Sequence, residues 1–168
     1  AEVDESVRAG EGAEPYLVRV VADKLAAVGR LPEVRGAGAV LVADEFIKGQ
    51  RITKFPGGGL EFGEGLKDCL IREIREEMGV EALEPKHFYT TDFFQQSAFH
   101  STPMQVVSVY FAFRVVDPLS IPVVSVPFGG LTGPQDQEVF RWLPLDGALV
   151  EVMSLPIDRV VLGMLVNG

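Results

Sequence analysis

Between Gly58 and Val80 the chain reads GGLEFGEGLKDCLIREIREEMGV, and this stretch limits the fold more than any other. In a helix each residue turns by about 100°, so Glu73, Glu76 and Glu77 share one face about 100° wide. Leu66, Leu70, Ile71, Ile74 and Met78 fall on a separate, core-facing arc. Gly79 follows as a left-handed cap that ends the helix sharply. Like charges at these spacings repel, so water alone does not favour the acidic face. A hard divalent cation reverses that sign, because Mg2+ or Mn2+ takes oxygen ligands and neutralises the cluster. The alternative is a solvated acidic helix face with no ligand.

Phe55-Pro56-Gly57-Gly58-Gly59 leads into this stretch. Glycines permit positive φ and close approach of backbone to a ligand. A Gly-rich loop entering a helix also presents N–H groups to phosphate. Loop and helix together suit a metal and a phosphate at one place.

The spacing is Gly58, five residues, Glu64, seven residues, Arg72-Glu73-Ile74, one residue, Glu76-Glu77, one residue, Gly79-Val80. It resembles the Nudix box, with no departure at any specified position. The PGGG lead-in and Phe140-Arg141-Trp142-Leu143-Pro144-Leu145-Asp146 extend the resemblance more weakly over the rest. The resemblance implies a Nudix-type α/β/α sandwich, with a mixed β-sheet between the box helix and a C-terminal helix. It also implies a metal-dependent pyrophosphohydrolase, in which water attacks phosphorus in a nucleoside diphosphate linked to another moiety. In that reading Glu73, Glu76 and Glu77 hold Mg2+ or Mn2+, with the Gly58 carbonyl as a further ligand. Glu76 is open as ligand or base. Arg72 pairs with Glu64 to orient the loop on the helix and counts with Glu73, Glu76 and Glu138 among the catalytic set. Gly57, Gly58, Gly59 and Phe94 face the substrate. Glu138, and with less support Asp136, is the extra carboxylate that some relatives use as general base; an exposed acid at a strand start is the alternative.

Phe93, Phe94 and Phe99 suit either base stacking or a core, with the core favoured. His87 and His100 lack partners at ligand spacing and read as structural. Cys69 reads as a buried, inert thiol. Substrate signatures known in relatives are missing: Phe94 stands where ADP-ribose hydrolases carry proline, no SQPWPF-like array follows, and no tyrosine lies 16 to 18 residues after Gly79. Two alternatives compete with hydrolysis. One is a non-hydrolytic Nudix-like sensor of a nucleotide or sugar, which usually carries a DNA-binding domain. The other is a prenyl diphosphate isomerase, whose Cys- and His-rich metal site two isolated histidines do not supply.

With 168 residues and 47% apolar content the chain suits one domain with a real core. We expect residues 1–14 to be a loose tail and 15–168 the domain. A net charge of −9 argues against polymeric nucleic acid or an anionic membrane as partner, but not against a small phosphorylated substrate. One cysteine, an acidic start unlike a secretory leader, and no apolar run of about 18 residues point to the cytoplasm. Exposed β-edges in the N-terminal half suit a homodimer. Strands are expected within 16–28 (a helix being the alternative), at 38–43, 51–55, near 87–91, at 105–116 and at 138–143. A long loop spans 117–134, and Ser154 and Pro156 open a final helix.

Overall fold

The structure is a computed structural model that describes residues 25–26, 38–97, 99–100, 102–132 and 138–167. The expected tail, most of the 16–28 strand and Asp136 lie outside the described residues. The elements run β1 (Leu25–Ala26), β2 (Ala39–Ile47), β3 (Gln50–Lys54), α1 (Leu66–Met78), β4 (Leu83–Thr90), β5 (Val109–Arg114), β6 (Glu138–Pro144) and α2 (Pro156–Val166).

The strands form two three-stranded sheets rather than one. β1 runs parallel to β5, which pairs antiparallel with β4, so this sheet is mixed. β2 pairs antiparallel with β3 on one side and β6 on the other. Alternation along the strands sends side chains to opposite faces. Val40, Val42 and Tyr110 meet Ile157, Val161 and Leu162 of α2. Val109, Phe111 and Phe113 meet Leu70 and Ile74 of α1, while Leu41, Ala43 and Phe140 meet Met78. Each fully buried Leu or Ile contributes about 1.5–3 kcal/mol. The outcome is an α/β/α sandwich.

Helix α1 stops where the sequence indicates. Gly79 has φ 68° and donates its N–H to the Arg75 carbonyl. Asp68 accepts the Gly65 N–H at the other end. Leu66, placed on the core arc by periodicity, is 38% exposed because the chain enters the helix there before reaching the sheet.

Other expectations change as well: β2 runs on to Ile47 past the expected end at 43, and β4 starts at Leu83 rather than near 87. The strand drawn over 105–116 is regular only from Val109 to Arg114. Upstream of it, the loop takes the hydrogen bonds: Ser97 N–H donates to the Met104 carbonyl, Val106 N–H to the Gln95 carbonyl, and Thr91 Oγ1 exchanges bonds with the Ser108 backbone. Ser154 does not cap α2; Leu155 occupies that place. Ser154 instead accepts the Thr53 N–H at 2.9 Å and donates its own N–H to the Thr53 carbonyl at 2.8 Å. This anchors the start of α2 on β3, just before the glycine loop.

The segment after Asp117 is a loop, as composition indicates, but it is strapped down. Ile121 is buried beside Met78, and Val124 N–H donates to the Phe140 carbonyl. Phe128 N–H donates to Asp44, a fully buried carboxylate that also takes Arg141 Nε at 2.6 Å and Thr53 Oγ1 at 2.6 Å. A buried carboxylate is retained only when its oxygens are satisfied in this way.

Candidate active site

The glycine loop and the acidic helix meet in direct contact. Gly57 has φ 142°, which favours glycine. At Gly58 a Cβ would lie 2.2 Å from the Glu73 carboxyl group, so only glycine lets the loop backbone lie against that acid. Gly59 offers its carbonyl to Arg72 Nη2 at 3.1 Å.

Arg72 is the hub. Its Nε and Nη2 form a two-pronged pair with Glu64 at 3.0 and 2.7 Å. Fork-to-carboxylate geometry of this kind gives both direction and strength. Nη1 reaches Glu73 at 2.7 Å and Glu76 at 3.3 Å. The hydrogen bond from Arg72, aided by the Glu61 N–H, holds the Glu64 carboxyl down at about 2. Arg72 is raised in turn by the same bond. Beneath them Cys69 is buried, and desolvation together with nearby Glu64 pushes its thiol up to about 12.

A second group of acids lies beside the last turn of α1. Glu77 and Glu138 line one cleft of about 360 Å³, walled by Val123 and Val124 of the strapped loop. Lys54, at the end of β3, sits 3.0 Å from Glu45 and 3.6 Å from Glu138, with its side chain 8% exposed. Burial alone lowers the Lys54 pKa, but Glu138 and Glu45, with Glu77 further off, outweigh it and the net shift is upward. Neither Lys54 nor Glu45 was singled out from sequence. For Lys54 the signal was present, since alternation puts it on one strand face with Ile52; Glu45 lies past the strand expected at 38–43 and joins β2 only because that strand runs on to Ile47.

Among the described residues, no three acidic, His or Cys side chains are gathered closely enough to hold a metal ion as they stand. The sequence expectation was that Glu73, Glu76 and Glu77 converge. The helix does give them neighbouring directions, but Arg72 draws Glu73 and Glu76 to itself while Glu77 lines the cleft it shares with Glu138. The donors nevertheless fit a hard divalent cation: every available ligand is oxygen, from Glu73, Glu76, Glu77 and the adjoining Gly58 backbone.

Of the aromatic residues, Phe94 is 71% exposed and Phe93 38% exposed, so neither belongs to the core. Phe99 instead lines a narrow cleft of about 50 Å³ beside Gly57, together with Lys54, Gln95, Gln96, Tyr110 and Pro156. His87 bonds Thr90 and packs edge-on against Phe111, and His100 bonds Ser97; both roles are local. No helix among the described residues is long and apolar enough to cross a membrane.

A mixed α/β sandwich that presents a glycine loop against an acidic helix defines the class. Residues 24–161 match the family model for the NUDIX domain, and the chain belongs to that family of hydrolases. Solved structures share the fold, two of them NUDIX hydrolases. A MutT NUDIX hydrolase from Burkholderia pseudomallei superposes with a TM-score of 0.61 at 18% identity, covering 89% of this chain and 98% of that one. A NUDIX hydrolase from Nitrosomonas europaea gives 0.56 at 18% identity, covering 89% of each.

Proposed function

We propose that the chain is a divalent-metal-dependent pyrophosphohydrolase acting on a nucleoside diphosphate linked to another moiety. Family membership supports pyrophosphate-bond hydrolysis and a small phosphorylated substrate. The observation that carries the finer reading is the interlock of Gly58 with the Glu73 carboxylate, clamped by Arg72. It makes phosphate-cradling backbone and metal-seeking acids one rigid unit.

Glu73, Glu76 and Glu77 hold the cation in this reading, Mg2+ or Mn2+, with the Gly58 carbonyl beside them. When bound, it neutralises phosphate oxygens and lowers the pKa of attacking water. Gly57 and Gly59 leave room for the diphosphate. Glu138, next to Glu77 in the same cleft, accepts the proton of the attacking water, with Glu76 the other candidate. Arg72 and Glu64 keep the loop in register with the helix.

The test is a panel of nucleoside triphosphates, dinucleotides and nucleotide-sugars incubated with Mg2+ or Mn2+, with products read by phosphate release and chromatography. Glu76→Gln or Glu77→Gln should lower turnover by about 10²-fold or more without unfolding the protein. Wild-type rates in both variants would remove this site from the chemistry. Tight binding of one member without turnover would favour the sensor instead.

A further inference from the structure

Glu45 of β2 and Glu138 of β6 stand directly opposite one another in the antiparallel ladder. Like charges opposite each other repel. Lys54 of β3 pairs with Ala43 of β2, diagonal to Glu45 and on the same face, and its ammonium reaches both carboxylates. Glu77 adds a third negative charge from the helix above.

Stability does not call for this arrangement. Replacing a buried ion group with apolar residues of similar size is commonly neutral or stabilising. Ala43 and Phe140 show that the same face packs well with apolar side chains. The charges therefore mark a task, and Glu138 is the member that opens on the cleft shared with Glu77.

We propose that Lys54 is a positioning residue, whose buried ammonium fixes the Glu138 carboxylate beside Glu77 for proton transfer. This rests on the reading of Glu138 as the base. Lys54 acts through Glu138, by offsetting the Glu45 repulsion and restricting where Glu138 points.

The experiment compares the wild type, Lys54→Met, Glu138→Gln and the double variant, on whichever of dGTP, ATP and UDP-glucose the wild type cleaves fastest with Mg2+. A positioned base contributes about 10²-fold or more, so Glu138→Gln should lose that much in kcat and Lys54→Met at least about tenfold, with KM little changed. The double variant should be no slower than Glu138→Gln alone, because the two residues act as one unit. Mn2+ titration of the free protein gives a second readout: loss of a buried cation leaves Mn2+ affinity equal or tighter, whereas general damage weakens it. An unchanged kcat in Lys54→Met, multiplying losses in the double variant, or weakened Mn2+ binding overturns the role while the hydrolase reading stands. Should Lys54→Met fail to fold, Glu45→Gln carries the test. It leaves Lys54 to Glu138 alone, so kcat should hold within about threefold, and a tenfold loss overturns the proposal. A wild type that cleaves none of the three probes and binds no Mn2+ removes the hydrolase reading, and this role with it.

Discussion

Gly58→Ala separates activity from stability at a single atom. The added methyl would sit 2.2 Å from the Glu73 carboxyl group, well inside contact distance. The obstacle is the far end of a flexible side chain, so Glu73 can swing away and the fold survives. Leaving costs the 2.7 Å bond to Arg72, a partly exposed pair contributing about 1 kcal/mol or less. Replacing glycine with alanine returns about 0.4–1 kcal/mol by restricting the unfolded chain, since φ at Gly58 is not positive. The two terms nearly cancel, and the melting temperature should move by no more than about 3 °C. Catalysis has no such compensation. A misplacement of about 1 Å in a catalytic group lowers rates by about 10²-fold, equivalent to about 2.7 kcal/mol of barrier. Steady-state hydrolysis with Mg2+, alongside differential scanning calorimetry of the same sample, reads both quantities. Wild-type turnover from a folded Gly58→Ala protein would refute the claim that the loop positions Glu73.

Other outcomes follow from the same geometry. The Glu64 carboxyl lies near 2 in the folded protein against an ordinary value of 4.5, so its contribution is fully present above pH 4.5 and lost as pH falls toward 2. Acid denaturation should therefore be shallower through that window in Glu64→Gln, and parallel curves would contradict the pairing. With its thiol up near 12, Cys69 is thiolate on the order of one part in 10⁴ at pH 8, so Ellman's reagent should label it only after denaturation. Tyr110 Oη donates to the buried Asp158 carboxylate at 2.7 Å, so Tyr110→Phe should lower stability by about 1.5–3 kcal/mol, or roughly 3–12 °C in melting temperature.

Much of the molecule follows from short-range pattern. The ends of α1 are written locally, as a Gly65 entry and a Gly79 exit, and periodicity places Leu70, Ile74 and Met78 inward. The pairing of Arg72 with Glu64 is legible because only the Gly65 cap and the first turns of α1 separate them. What escapes is set by long-range contact. Lys54 meets Glu138 only because β2 brings β3 and β6 to its two sides, 84 residues apart in the chain. Ser154 has the composition of a helix cap, yet a strand from the middle of the chain takes its hydroxyl. The division of the expected sheet into two likewise depends on pairings that alternation does not encode. The Gly58–Glu73 contact lies between these cases: the spacing names both residues, but only the folded loop brings them together.

Arg72 and Lys54 give the acid groups internal counter-charges, and this decides the order of events in the life of the molecule. A site of bare carboxylates would need an ion in order to fold. Here the guanidinium and the ammonium act as placeholders, so the chain can reach its final shape in a chelating medium and stay assembled while ions come and go. On the metal-dependent reading proposed above, EDTA should silence such a protein reversibly, leaving its circular dichroism and melting profile almost untouched, and ion supply becomes a switch on rate rather than on survival.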